Sequence, residues 1–96
     1  MKSKQEKFFK DTPLTRFLTK AINESHKSQV TIAEEAGFSS INMISMIKSG
    51  RTNLPISRID HLSEALDIEP TQLFELALQQ YFPEAWTLIT KYYTYK

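Results

Sequence analysis

Only two glycines occur in this chain, Gly37 and Gly50, and each stands where an apolar helical stripe runs out. Glycine costs about 1 kcal/mol inside a helix relative to alanine, yet it enters readily the left-handed conformation that ends one. The pair therefore frames a short element. The stretch SQVTIAEEAGFSSINMISMIKSGRTNLP, Ser28 to Pro55, reads as a helix, a tight turn at Gly37 to Ser40, a second helix and a loop. Many small proteins use that arrangement to present one helix to the major groove of DNA.

The flanking sequence keeps the same period. Thr12-Pro13 is a helix start, since threonine can cap free amides and proline suits the first helical position. Leu14, Phe17, Leu18, Ala21 and Ile22 then form one stripe, ending near Asn23 to His26. Ser28 caps a second helix with Ile32, Ala33 and Ala36 inward, and Ser40 caps a third, Ile41 to about Ser49. Arg51 to Pro55 is a loop. Pro55 and Ile56 open a fourth helix with Ile59, Leu62, Ala65 and Leu66 inward; Glu69-Pro70 opens a fifth, striped by Leu73, Phe74, Ala77, Leu78 and Tyr81. After Pro83 the tail EAWTLITKYYTYK has the length for a short sixth helix. No period-two alternation survives, so the expected fold is all-α. Three parts are expected: a basic N-terminal arm over 1–11, a helix-turn-helix domain over 12–82 and an aromatic C-terminal extension over 83–96.

Charge sharpens this division. The net charge is only +1, but residues 1–55 carry nine Lys/Arg against five Asp/Glu and residues 56–96 carry three against six. No acidic residue lies between Glu35 and Asp60, which keeps negative charge away from a phosphate backbone. With no cysteine, disulfide frameworks, thiol catalysis and thiolate zinc sites are all excluded. That suits a reducing compartment, and a cytoplasmic location is expected. No apolar run reaches the roughly 18 residues of a membrane span, so neither a span nor a signal peptide is expected.

With Ile44 and Ile47 turned inward, the 100° step of the third helix puts Asn42, Ser45, Met46 and Ser49 on the opposite face. Asn42, in the first turn, can bond adenine N6 and N7 together; Ser45 can serve several bases, and Met46 offers an apolar surface to a thymine methyl. Lys27, Lys48 and Arg51 are candidates to neutralise phosphates. Backbone amides near Ser28 and Gln29, and in the loop Arg51, Thr52 and Asn53, are candidates to fix register. Ser40, at the start of the third helix, joins this backbone-contacting group. A small polar face is also what a merely solvated helix shows, so both readings stand on periodicity alone.

The segment QVTIAEEAGFSSINMISMIKSGRTNLP, followed by ISRIDHLSEALDIEPTQLF, resembles the Cro/C1-type (XRE-family) helix-turn-helix regulators, whose DNA-binding domain has the lambda-repressor-like fold. The resemblance covers roughly residues 14–81. It rests on the IAxxAG turn entry, the end of the third helix with its lysine and glycine, the GRTNLP loop and the LSEALDIEP passage. It implies a compact five-helix domain, here with a short C-terminal helical extension, whose third helix enters the major groove of double-stranded DNA, usually as a homodimer on a two-fold operator. By motif position Ile41, Asn42 and Met46 match base-facing residues, Gln29 a residue that touches phosphate and braces the third helix, and Arg51 and Asn53 backbone-contacting residues. Two departures stand out. The span from Gly37 to Gly50 is one residue longer than usual, with the extra residue placed between Phe38 and Ser40; and Ile41 and Met46 are apolar where many relatives carry Gln, Arg or Lys.

Other chemistry finds little support. His26 and His61 fall in different elements, Glu34 and Glu35 point in different directions on one helix, and no phosphate loop or nucleophile elbow occurs. No catalysis, cofactor or metal is expected. The tail concentrates Tyr81, Phe82, Trp86, Tyr92, Tyr93 and Tyr95, which either fold back on the fifth helix or bury against a second subunit. A homodimer interface is expected around Leu78, Phe82, Trp86 and Ile89. The rival to DNA binding is a protein-interaction module, an antitoxin-like or accessory subunit that docks a partner through this C-terminal part.

Overall fold

A computed structural model describes residues 11–93, and the chain is all-helical throughout them, with no strand. The order is α1 (Pro13–Glu24), α2 (Gln29–Ala36), α3 (Ile41–Lys48), a 3₁₀ turn (Ile56–Arg58), α4 (Ile59–Leu66), α5 (Pro70–Tyr81) and α6 (Pro83–Tyr92). The expected basic arm, apart from Asp11, and Tyr95 of the tail lie outside the described residues.

The helix ends follow from local chemistry. Thr12 and Thr15 cap α1 reciprocally: the Thr15 amide donates to the Thr12 hydroxyl at 3.1 Å and the Thr12 amide to the Thr15 hydroxyl at 2.7 Å. Ser28 accepts from the Thr31 amide at 3.1 Å and starts α2, which stops at Gly37 with φ +82°. The space a Cβ would occupy at Gly37 lies 3.5 Å from the Arg58 guanidinium carbon, so Arg58 covers the turn without filling it. Ser40 occupies the first cap position of α3, but its hydroxyl makes no capping hydrogen bond. The expected fourth helix begins as a 3₁₀ turn and becomes α-helical only at Ile59. Its end uses no glycine: Asp67 takes the left-handed conformation, φ 58°, tolerated by a short polar side chain.

The core gathers Leu14, Leu18 and Ile22 of α1, Ile32, Ala33 and Ala36 of α2, Ile44 and Ile47 of α3, Leu54 of the loop, Ile59, Leu62, Ala65 and Leu66 of α4, and Leu73 and Ala77 of α5. Alanines on α2 and α4 let those two helices approach closely. Lys27 fastens the same pair, with its ammonium 2.6 Å from Glu35 and 2.8 Å from the carbonyl of Ala65, one of the otherwise orphaned acceptors at the end of α4. The α5 stripe differs from expectation in its register. Leu73 and Ala77 are buried and Leu76 and Tyr81 pack beside them, whereas Phe74 is exposed and Leu78 half-buried outside the core cluster. Helix α6 packs chiefly on α5 and contains no buried residue. Among the described residues no helix is long and apolar enough to cross a membrane.

Candidate nucleic-acid interface

Helix α3 is held from one side and open on the other. Ile44 and Ile47 sit in the core at 2% and 4% exposure, and each such burial contributes about 1.5–3 kcal/mol. Opposite them Ile41, Asn42, Ser45, Met46 and Ser49 are all exposed. Those that belong to α3, Ile41, Asn42, Ser45 and Met46, therefore share one solvent-facing side of the helix. Ser49 lies one residue past the helix and turns its hydroxyl back to the Met46 carbonyl at 3.2 Å.

The loop after α3 is built as tightly as the helix. Gly50 takes φ +81°, and the amides of Arg51 and Thr52 both donate to the Met46 carbonyl, at 2.8 and 3.3 Å. Leu54 is buried at the far end, and its amide donates to the Tyr81 hydroxyl at 2.8 Å. Between these anchors Arg51 and Asn53 are exposed and Thr52 half-buried. The phenol of Tyr81 is pushed above its ordinary value of 10.0 by burial, an effect partly offset by the hydrogen bond from Leu54.

Around this face the expected phosphate contacts separate into two groups. Lys48 is half-buried and lines a groove of about 500 Å³ with Ser49 and with Asp11, Thr15, Arg16, Thr19 and Lys20 at the α1 side. Arg16 and Lys20 extend the positive charge there and were not among the residues picked out by sequence. They pair with Asp11 at 2.8 Å and Glu24 at 3.2 Å, exposed ion pairs of the kind worth at most about 1 kcal/mol and readily exchanged for another anion. Lys27 belongs to the other group, since its ammonium is committed to Glu35 and Ala65. Ser28 uses its hydroxyl to cap α2, Gln29 is half-buried on the first turn of that helix, and Ser40 is exposed.

Comparison with protein-family models, curated proteins and solved structures finds no match for this chain.

Three residues beside this face could not be picked out from the sequence, for two different reasons. Arg16 and Lys20 lie on the polar side of α1, where only the three-dimensional crossing of α1 with the end of α3 brings them beside Lys48. Tyr81 was visible as an inward residue of α5, but nothing in the sequence tells which backbone amide its hydroxyl meets. At the other end, the expected interface residues divide. Leu78, Trp86 and Ile89 are half-buried where α5 and α6 meet, while Phe82 and Leu88, the latter not picked out by sequence, are 50% and 52% exposed.

Proposed function

We propose that this chain is a sequence-specific double-stranded DNA-binding transcriptional regulator of the lambda-repressor-like fold, acting as a repressor by occupying an operator. The observation that carries the reading is the outward side of α3, where Ile41, Asn42, Ser45, Met46 and Ser49 are exposed together and no carboxylate intrudes between Glu35 and Asp60. An α-helix with its side chains is about 10–12 Å across, which the major groove, about 12 Å wide, admits. Asn42 offers a bidentate amide for adenine, Ser45 a hydroxyl for several bases, and Ile41 and Met46 apolar contact for thymine methyls. Lys48, Arg51, Thr52 and Asn53, with Arg16 and Lys20 beside them, serve the phosphates. The reading involves no catalysis and no cofactor.

A helix of two turns reads only a few base pairs, so a second copy of the chain supplies the rest of the site and sets the spacing of about 34 Å between reading helices. The outward side of α6, with Phe82, Leu88 and Tyr92, is the surface assigned to that copy. The same exposed apolar side favours a second reading, a protein-interaction subunit with a different partner. Binding to random duplex at low salt separates the two, because a basic reading face binds it and a pure adaptor does not.

Selection of bound sequences from a random duplex pool tests the proposal and should return a site with two-fold symmetry. Asn42→Ala should then cost about 1–3 kcal/mol at one base position, whereas Arg51→Ala should weaken all sequences alike and flatten the salt dependence. Equal loss on selected and random DNA for the asparagine change would remove it from the readers.

A further inference from the structure

The loop from Arg51 to Leu54 is tied at both ends, and the two ties come from different parts of the fold. Its start hangs on α3 itself, through the two amides that share the Met46 carbonyl. Its end hangs on the last residue of α5, through the 2.8 Å bond from the Leu54 amide to the Tyr81 hydroxyl. The Leu54 side chain is 1% exposed, so this amide is drawn inward with it and has no ready access to water. A buried amide without an acceptor costs about as much as a lost hydrogen bond, and the phenol removes that cost in one position of the loop.

That position matters because Arg51, Thr52 and Asn53 lie between the two ties. Resting on the DNA-binding reading above, we propose that Tyr81 is a positioning residue: its hydroxyl holds the loop in the conformation that sets Arg51 and Asn53 against the phosphate backbone. Tyr81 touches no DNA in this scheme and acts through the loop that its hydroxyl holds at Leu54. It is distinct from α3, which is fixed by the core whatever the loop does. Base choice therefore belongs to α3, and the sequence-independent affinity depends on a side chain one helix boundary away from α6.

The test is Tyr81→Phe in the full chain, which keeps the ring and removes the acceptor. Hydrogen exchange of the Leu54 amide should quicken, while amides in the middle of α3 keep their protection. Affinity for the selected site and for random duplex should fall together by about fivefold, the factor carried by one hydrogen bond of about 1 kcal/mol. The salt dependence should flatten toward that of Arg51→Ala. On an Arg51→Ala, Asn53→Ala background the same change should have less than about a twofold effect, since contacts already removed cannot be lost again. Binding is compared where urea titration shows both proteins folded, so that a loss of stability is not read as a loss of contact.

Unchanged affinity for Tyr81→Phe, with wild-type DNA binding intact, overturns this inference and leaves the DNA reading standing. A fivefold loss that persists on the double-alanine background also overturns it, because Tyr81 would then act elsewhere. Failure of the wild-type chain to bind any duplex at low salt overturns both.

Discussion

Helices α3 and α6 both show apolar side chains to solvent, and they are held in opposite ways. On α3 the exposed Ile41 and Met46 are set among Asn42, Ser45 and Ser49, and the helix is fastened beneath by Ile44 and Ile47. At the α6 end Phe82, Leu88, Tyr92 and Tyr93 are exposed together, and the helix buries none of its residues. The first is a finished surface whose position does not depend on what it meets. The second packs chiefly on α5, with Ala85, Trp86 and Ile89 half-buried, and leaves Glu84, Thr87, Leu88, Thr90, Lys91 and Tyr92 in solvent. A rigid helix with small polar groups suits discrimination between base edges, whereas a weakly fastened apolar helix suits association.

Two substitutions separate the behaviour of the two helices. Ile44→Ala should destabilise the fold by about 2–5 kcal/mol, the cost of a cavity in a packed core, and should do so at every protein concentration. Leu88→Glu should leave the stability of a dilute sample within about 0.5 kcal/mol of wild type, because Leu88 is exposed and outside the core. In sedimentation at higher concentration the wild-type chain should run as a dimer and Leu88→Glu as a monomer. If Leu88→Glu keeps the dimer mass, the outward side of α6 is not the interface; if Ile44→Ala is nearly neutral, α3 is not fastened as described. A cut before Tyr81 would be the wrong version of this test, since it would also release the loop that Tyr81 holds.

Most of the fold was legible in the sequence because its signals are local. Thr12-Pro13, Ser28, Gly37, Gly50 and Glu69-Pro70 each mark a boundary through a cap or a restricted backbone, and the structure puts helix ends within a residue or two of them. The outward side of α3 was legible for the same reason, since an eight-residue helix with two inward isoleucines leaves little freedom. Three things were not. Asp67 ends α4 in a left-handed conformation that only glycine would have announced. Phe74 and Leu78 were counted inward because any apolar residue on a helical period looks buried, and only the packing of α5 on α1 and α4 decides which part of that stripe meets the core. The roles of Lys27 and Tyr81 depend on partners far along the chain, Ala65 and Leu54, and no window of neighbouring residues contains them.

The packed side of the molecule is itself not perfect. Ser63 is 2% exposed on α4, and its hydroxyl has no hydrogen-bond partner among the described residues. Alanine would fit the same space without an unsatisfied oxygen. Ser63→Ala should therefore raise stability by about 1 kcal/mol, read as a higher denaturant midpoint with an unchanged slope. A loss of stability would mean that the hydroxyl has an acceptor after all, and that the core helices are joined by polar contact as well as by packing.

The smallest effect distinguishes the loop tie from ordinary packing. Burial raises the phenol of Tyr81 above 10.0, so the folded state keeps its proton more firmly than the unfolded chain does. Stability linked to this group is fully present below about pH 10 and is lost as pH rises through the raised folded value, because the unfolded state then releases the proton first. Wild type should accordingly lose more stability than Tyr81→Phe between pH 9 and 11. The difference between the two curves isolates Tyr81. Parallel curves would place the phenol in water and leave the Leu54 amide without the neutral acceptor that holds the loop to α5.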